Sequence, residues 1–301
     1  MSVQIKREFL SAKVLARLAP LQLHARSPML GSVSGRHRSP IRGSSLEFAE
    51  YRKYVPGDDT RRLDWRAYAR SDRYYIKEFE ADTNLRMCLI VDTSGSMGFA
   101  HNGIGKLDYA RRIAGTLGYL AARQGDAVGL YCAGRAFHKE IPPKRGASHL
   151  GVVLDELAAM RASGETGLAE ALHEAAERVP QRALIIVLSD LFLEPGVLQS
   201  CFQHLRFRKH DVAVFHLLDQ SEIDFTIDRP TRFLDLEGGA PIMADPSLMG
   251  KQYRKAMAGY LAALRAVMQD ATVDYHRVDL HHRVDDVLAR FLVGRAPKKK
   301  K

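Results

Sequence analysis

Three short, mainly apolar runs, residues 87–91, 183–188 and 212–218, are separated by stretches whose apolar residues recur at helical spacing. Such runs are too short for helices and show no polar alternation, as expected of strands covered on both faces. Helices are expected over residues 106–123, 150–160, 168–179 and 196–207, and two further strands, joined by a tight turn, over 127–132 and 136–141. Residues 219–247 read as an insertion carrying a hairpin, with residues 237–239 at its turn, before a long helix over 248–268, a strand over 272–278 and a closing helix over 284–291. Strands alternating with helices predict an α/β fold with a mostly parallel, Rossmann-type sheet and helices on both faces.

The domain expectation is fourfold: a basic segment over 1–35, a charged and aromatic segment over 36–84, the α/β domain over 85–293, and a basic tail over 294–301. Residues 10, 14, 15 and 18 fit one face of a short amphipathic helix. Between Leu46 and Glu80, eight Lys/Arg meet eight Asp/Glu, a balance expected of an internally paired, ordered segment that packs on the α/β domain, with Trp65 as a buried anchor.

The formal charge of +10 is unevenly placed. Residues 1–45 hold eight basic residues against Glu8, and residues 295–301 hold Arg295 and four lysines, so the body between them is slightly acidic. A nucleic-acid-binding domain should carry its positive charge on a folded face, so no specific nucleic-acid partner is expected. Cys88, Cys132 and Cys201 form no C-x-x-C pair and read as buried reduced thiols. No apolar run approaches the roughly 20 residues a membrane span needs. No signal peptide is read, and a cytoplasmic location is expected.

The first apolar run ends in Asp92-Thr93-Ser94-Gly95-Ser96. An acid followed by hydroxyls at alternate positions, on a loop leaving a strand end, can aim several oxygens at one point. Ligands in open α/β sheets bind beyond those strand ends, and hydroxyl and carboxylate oxygens suit a hard cation such as Mg²⁺. Thr166 lies in a second loop before a helix, and Asp190 ends the next buried run.

Together Asp92, Ser94, Ser96, Thr166 and Asp190 resemble the complete metal-ion-dependent adhesion site of von Willebrand factor A domains, over about residues 85–293. The resemblance implies Mg²⁺ or Mn²⁺ bound directly by Ser94 and Ser96, and by Thr166 directly or through water. Asp92 and Asp190 would coordinate or hold bound waters, and one position would stay open for a carboxylate from a partner protein. Glu165, beside Thr166, is a further candidate near that position.

Upstream, Glu47-Phe48-Ala49-Glu50-Tyr51-Arg52-Lys53-Tyr54-Val55-Pro56-Gly57-Asp58-Asp59, followed by Arg61-Arg62-Leu63-Asp64-Trp65-Arg66, is similar to the signature of the MoxR-associated family known as domain of unknown function fifty-eight. That resemblance implies a MoxR-type AAA+ ATPase as partner, with an adaptor role in assembling or remodelling client complexes. Arg61, Arg62, Trp65 and Arg66 are candidate docking residues.

Catalytic readings lack their parts. A haloacid-dehalogenase-type phosphatase needs an acid where Ser94 stands. The stretch from Ala100 to Leu107 lacks the first glycine and the final Ser/Thr of a phosphate-binding loop, and no G-x-S-x-G is present. The chain is therefore expected to be a binding module, not an enzyme. The rival reading is a nucleic-acid-associated protein acting through its basic ends.

Overall fold

A computed structural model of the chain describes residues 7–26, 37–39, 47–55, 63–83, 85–100, 103–134, 137–179, 182–225, 231–239, 241–244 and 246–297. The chain divides into two compact units, one made of residues 1–27 and 86–301, the other of residues 28–85.

Helix α1 (Ala12–Leu18) opens the larger unit. The smaller unit holds β1 (His37–Ser39), β2 (Glu47–Lys53), α2 (Trp65–Ser71) and β3 (Tyr75–Thr83) in an antiparallel sheet of order β1-β3-β2. Asp64 caps α2, its carboxylate accepting from the Ala67 N–H at 3.2 Å. Inside this unit Tyr68 stacks on Tyr74 with ring centroids 4.5 Å apart, and Tyr54 meets Tyr74 edge-on. The expectation of a buried Trp65 is corrected. The indole, at the first residue of α2, is 61% exposed and meets Tyr68 edge-on.

The larger unit continues with β4 (Arg86–Asp92), a 3₁₀ turn at Gly95–Gly98, α3 (Lys106–Arg123), β5 (Ala127–Ala133), β6 (Phe137–Lys144), α4 (Ala147–Ala159) and α5 (Leu168–Arg178). Then come β7 (Leu184–Ser189), α6 (Pro195–Phe207), β8 (Asp211–Leu218), α7 (Gln220–Asp224), β9 (Thr231–Phe233), β10 (Ile242–Ala244), α8 (Pro246–Asp270), β11 (Asp274–Asp279) and α9 (Val284–Arg295). Six strands form one sheet in the order β11-β8-β7-β4-β5-β6, all parallel except β6. Pro142 and Pro143 lie on β6, which takes the edge because proline cannot donate to a ladder on both sides.

Alternate residues of each strand serve opposite faces. Cys88, Ile90, Ile185, Val187, Val212 and Val214 pack under α5, α6 and α8 in one buried cluster. On the other face Leu89 lies under Gly118 of α3, and Phe215 meets Phe291 of α9 at 5.0 Å. The α/β expectation therefore holds: a mixed, mostly parallel sheet with helices on both faces. The three cysteines are free and buried, and burial pushes the Cys132 thiol up to about 12.

Residues 7–26 and the end of α9 belong to this unit. Phe9 packs so closely on α3 that a Cβ at Gly115 would sit 2.6 Å from its ring, and Leu18 and Leu23 are fully buried. Arg7 pairs with Asp155 at 2.7 Å, Arg17 with Asp285 and Asp286, and Arg26 with Asp274 at 3.1 Å. The expected tail boundary at residue 294 falls inside α9. Arg295 is buried and paired with Asp211 and, at 2.7 Å, with Asp274. Among the described residues no helix is long and apolar enough to cross a membrane.

Candidate metal centre at the strand-order reversal

Numbered within its own sheet, the order reads 6-5-4-1-2-3, the doubly wound pattern whose reversal falls between β4 and β7. The carboxyl ends of those two strands open the crevice where such sheets bind ligands. Asp92 is the last residue of β4, and Ser189 and Asp190 leave β7 beside it.

Asp92 is held by two hydrogen bonds. The Ser94 N–H donates to its Oδ1 at 2.9 Å and the Ser189 hydroxyl to its Oδ2 at 2.6 Å. The hydroxyls of Ser94 and Ser96 lie 3.0 Å apart, so the alternate spacing brings both oxygens to one place. The loop bearing Thr166 is tied to this one by backbone bonds from Ser163 N to Thr93 O at 2.9 Å and from Gly95 N to Gly164 O at 2.8 Å. Thus all three predicted loops converge. Glu165 is exposed.

Four residues that the sequence did not point to complete the cluster. Lys106, the first residue of α3, is fully buried and donates to Asp190 Oδ2 at 2.8 Å and to Glu222 Oε1 at 2.6 Å. Its ammonium also lies 5.1 Å from the Phe192 ring centroid and 5.5 Å from that of Phe99. Glu222 belongs to a capping box on α7, in which it accepts from the Asp219 N–H. Ser189 holds Asp92. Glu237, at the hairpin tip between β9 and β10, accepts from the Thr166 N–H at 3.2 Å. The Asp-x-x-Glu signature at 219–222 was readable as a helix start, but nothing in it pointed to the crevice.

Burial, together with nearby Asp190, pushes the Asp92 carboxyl up to about 6, against the lowering effect of its hydrogen bonds. Burial by itself would lower the Lys106 ammonium, but Asp190 and Glu222 raise it above its ordinary value. The Lys106 ammonium contacts Asp190 and Glu222, whereas Asp92, held by the Ser94 N–H and the Ser189 hydroxyl, lies near Asp190. Carboxylate and hydroxyl oxygens gathered in this way fit a hard divalent cation. Among the described residues no group of three His, Cys, Asp or Glu could itself hold a metal.

Of the candidate docking residues, Arg61 and Arg62 lie outside the described residues. Arg66 lies in α2, beyond whose backbone nothing is described, and Trp65 is exposed.

The fold and this crevice define a doubly wound α/β protein with an oxygen-lined site at its strand-order reversal. The chain belongs to the family described as "Protein of unknown function DUF58", whose model matches residues 50–266. It is 29% identical over 251 residues to "Uncharacterized protein Rv1480" of Mycobacterium tuberculosis and to "Uncharacterized protein Mb1516" of Mycobacterium bovis, covering 82% of this chain and 78% of each of those. Solved structures similar to it include the conserved hypothetical protein BatB of Bacteroides thetaiotaomicron, at 17% identity, 70% of this chain, 98% of that one and a TM-score of 0.48. Another is the SpRpn10 VWA domain, at 9% identity, 72% of this chain, 100% of that one and a TM-score of 0.42.

Proposed function

We propose that the protein is a noncatalytic, divalent-metal-dependent protein-interaction module of the von Willebrand factor A type. The carrying observation is the convergence of the oxygens of Asp92, Ser94 and Ser96 with nearby Asp190 at the strand-order reversal. Ser94, Ser96 and Thr166 would hold Mg²⁺ or Mn²⁺, with Asp92 and Asp190 coordinating or holding its waters. A metal held there would supply an attachment point for a carboxylate on a partner protein. The MoxR-associated resemblance points to a MoxR-type AAA+ ATPase as that partner and to an adaptor role in the cytoplasm. Against the nucleic-acid reading stand the ion pairs of Arg7, Arg17, Arg26 and the buried Arg295, which engage four of the terminal cations with acids of the same unit.

The test is capture of the MoxR-type ATPase by the full chain, with Mg²⁺ or with EDTA, for wild type and Ser94→Ala. Capture should need Mg²⁺ and be lost in the variant. Capture indifferent to both would remove the metal from the function.

A further inference from the structure

The hairpin β9–β10 bends directly onto the crevice. A Cβ built on Gly95 would lie 2.0 Å from the Leu236 carbonyl oxygen, so hairpin backbone touches the middle of the Asp92–Ser96 loop. One residue on, Glu237 places Oε2 3.2 Å from the Thr166 N–H. Its carboxylate therefore reaches the Thr166 loop from a turn whose backbone also touches the Asp92–Ser96 loop. Asp235 fixes this turn by accepting from the Glu237 N–H at 2.8 Å, and Gly238 takes the left-handed φ of +101° that closes it. The root of the hairpin is anchored elsewhere: Phe233 stacks on Phe225 at 5.8 Å, and Phe225 on Tyr253 at 4.5 Å. The tip has little apolar burial to hold it down, since Leu234 and Leu236 remain 66% and 50% exposed.

We propose that Glu237 is an internal carboxylate ligand, delivered by the β9–β10 hairpin to the coordination position that Asp92, Ser94, Ser96, Thr166 and Asp190 leave open. A partner's carboxylate then binds by displacing Glu237, and the hairpin sets how acidic and how well-fitted that partner must be. This rests on the metal-site reading above.

Mn²⁺ is the probe, titrated into the full chain with water-proton relaxation as readout. Glu237→Gln is the informative variant, because its amide oxygen still accepts from the Thr166 N–H. A mere latch on that loop would survive it, whereas an anionic ligand would not. Glu237→Asp keeps the charge and loses the reach. Both variants should bind Mn²⁺ at least about tenfold more weakly and show higher relaxivity per bound ion, as water takes the vacated position. Added acetate should lower the relaxivity of the variants and leave wild type unchanged. Ser94→Ala should abolish binding in the same assay. If Ser94→Ala abolishes Mn²⁺ binding while both Glu237 variants match wild type, Glu237 is only a latch and the proposal falls alone. If Ser94→Ala binds like wild type, the metal-site reading falls with it.

Discussion

The Lys106 ammonium lies 2.8 Å from Asp190 Oδ2 and joins the start of α3 to the loop after β7, 84 residues away in sequence. A cation at a helix N-terminus opposes the helix dipole, and one fully buried there must be matched by anions. Asp190 and Glu222 match it. Lys106 therefore does two things at the crevice: it ties the loop bearing Asp190 to α3 and pins the short helix α7 to the site.

Removing that ammonium should expose the charge imbalance. Lys106→Met keeps the aliphatic stem and leaves Asp190 and Glu222 buried without their cation, which typically costs about 3–5 kcal/mol. Urea unfolding in EDTA should show that loss, and Mg²⁺ should recover more stability in the variant than in wild type. A loss below about 1 kcal/mol would show that water already screens the pair.

Asp92→Asn should move stability and binding in opposite directions. With its carboxyl pushed up to about 6 from 3.8, Asp92 weakens the metal-free fold as pH rises through that interval. At 1.36 kcal/mol per unit the charged form costs about 3 kcal/mol. An amide keeps the bond from Ser94 N and donates to the Ser189 hydroxyl in place of accepting. Unfolding in EDTA at pH 7.5 should show the variant about 1–3 kcal/mol more stable, while calorimetry shows Mn²⁺ binding lost. A variant both less stable and fully metal-competent would contradict the charge argument.

The placement of Asp92 and Asp190 at neighbouring strand ends was legible in the sequence. Asp92 and Asp190 each follow a run that could only be a buried strand, and parallel order puts those ends on one edge. Lys106 and Glu237 were not legible. A lysine at a helix start and a glutamate before Gly238-Gly239 look like solvated surface, and only the long-range return of the 219–247 insertion brings Glu222 and Glu237 back to the crevice. Trp65 failed for a related reason. Hydrophobicity argues for burial, but Trp65 opens a seven-residue helix and stays exposed, as does Tyr74, which stacks on Tyr68.

Acid should weaken the fold through buried histidines. His210 accepts from the Ala183 N–H, and burial depresses its ring to about 4 from 6.5. Since the folded value is depressed, the unfolded chain binds the proton first as pH falls. Stability is whole above pH 6.5 and is lost progressively down to pH 4, by about 3 kcal/mol for this ring. His210→Asn keeps an acceptor for Ala183 and cannot titrate. Its unfolding free energy should therefore fall less between pH 7.5 and 4. An acid loss equal to that of wild type would assign the sensitivity to other groups.

Gly95→Ala tests the hairpin without altering any oxygen at the site. The new methyl would need the space of the Leu236 carbonyl, 2.0 Å from the ideal Cβ, and a backbone atom cannot yield as a side-chain tip can. The Asp92–Ser96 loop is fixed by its bonds to Ser94 N, Ser189 and Gly164, so the hairpin tip should be the part that moves. Its root, stacked through Phe233, Phe225 and Tyr253, should stay. Hydrogen exchange should therefore speed up over residues 234–239 and at the Thr166 N–H, which loses Glu237 as acceptor, with the sheet unchanged. With the crevice uncovered, an acidic peptide or acetate should reach bound Mn²⁺ more readily than in wild type. Exchange that stays as slow as wild type at Thr166 would mean that the loop, not the hairpin, gives way, and Gly95 would then be required by the loop's own geometry.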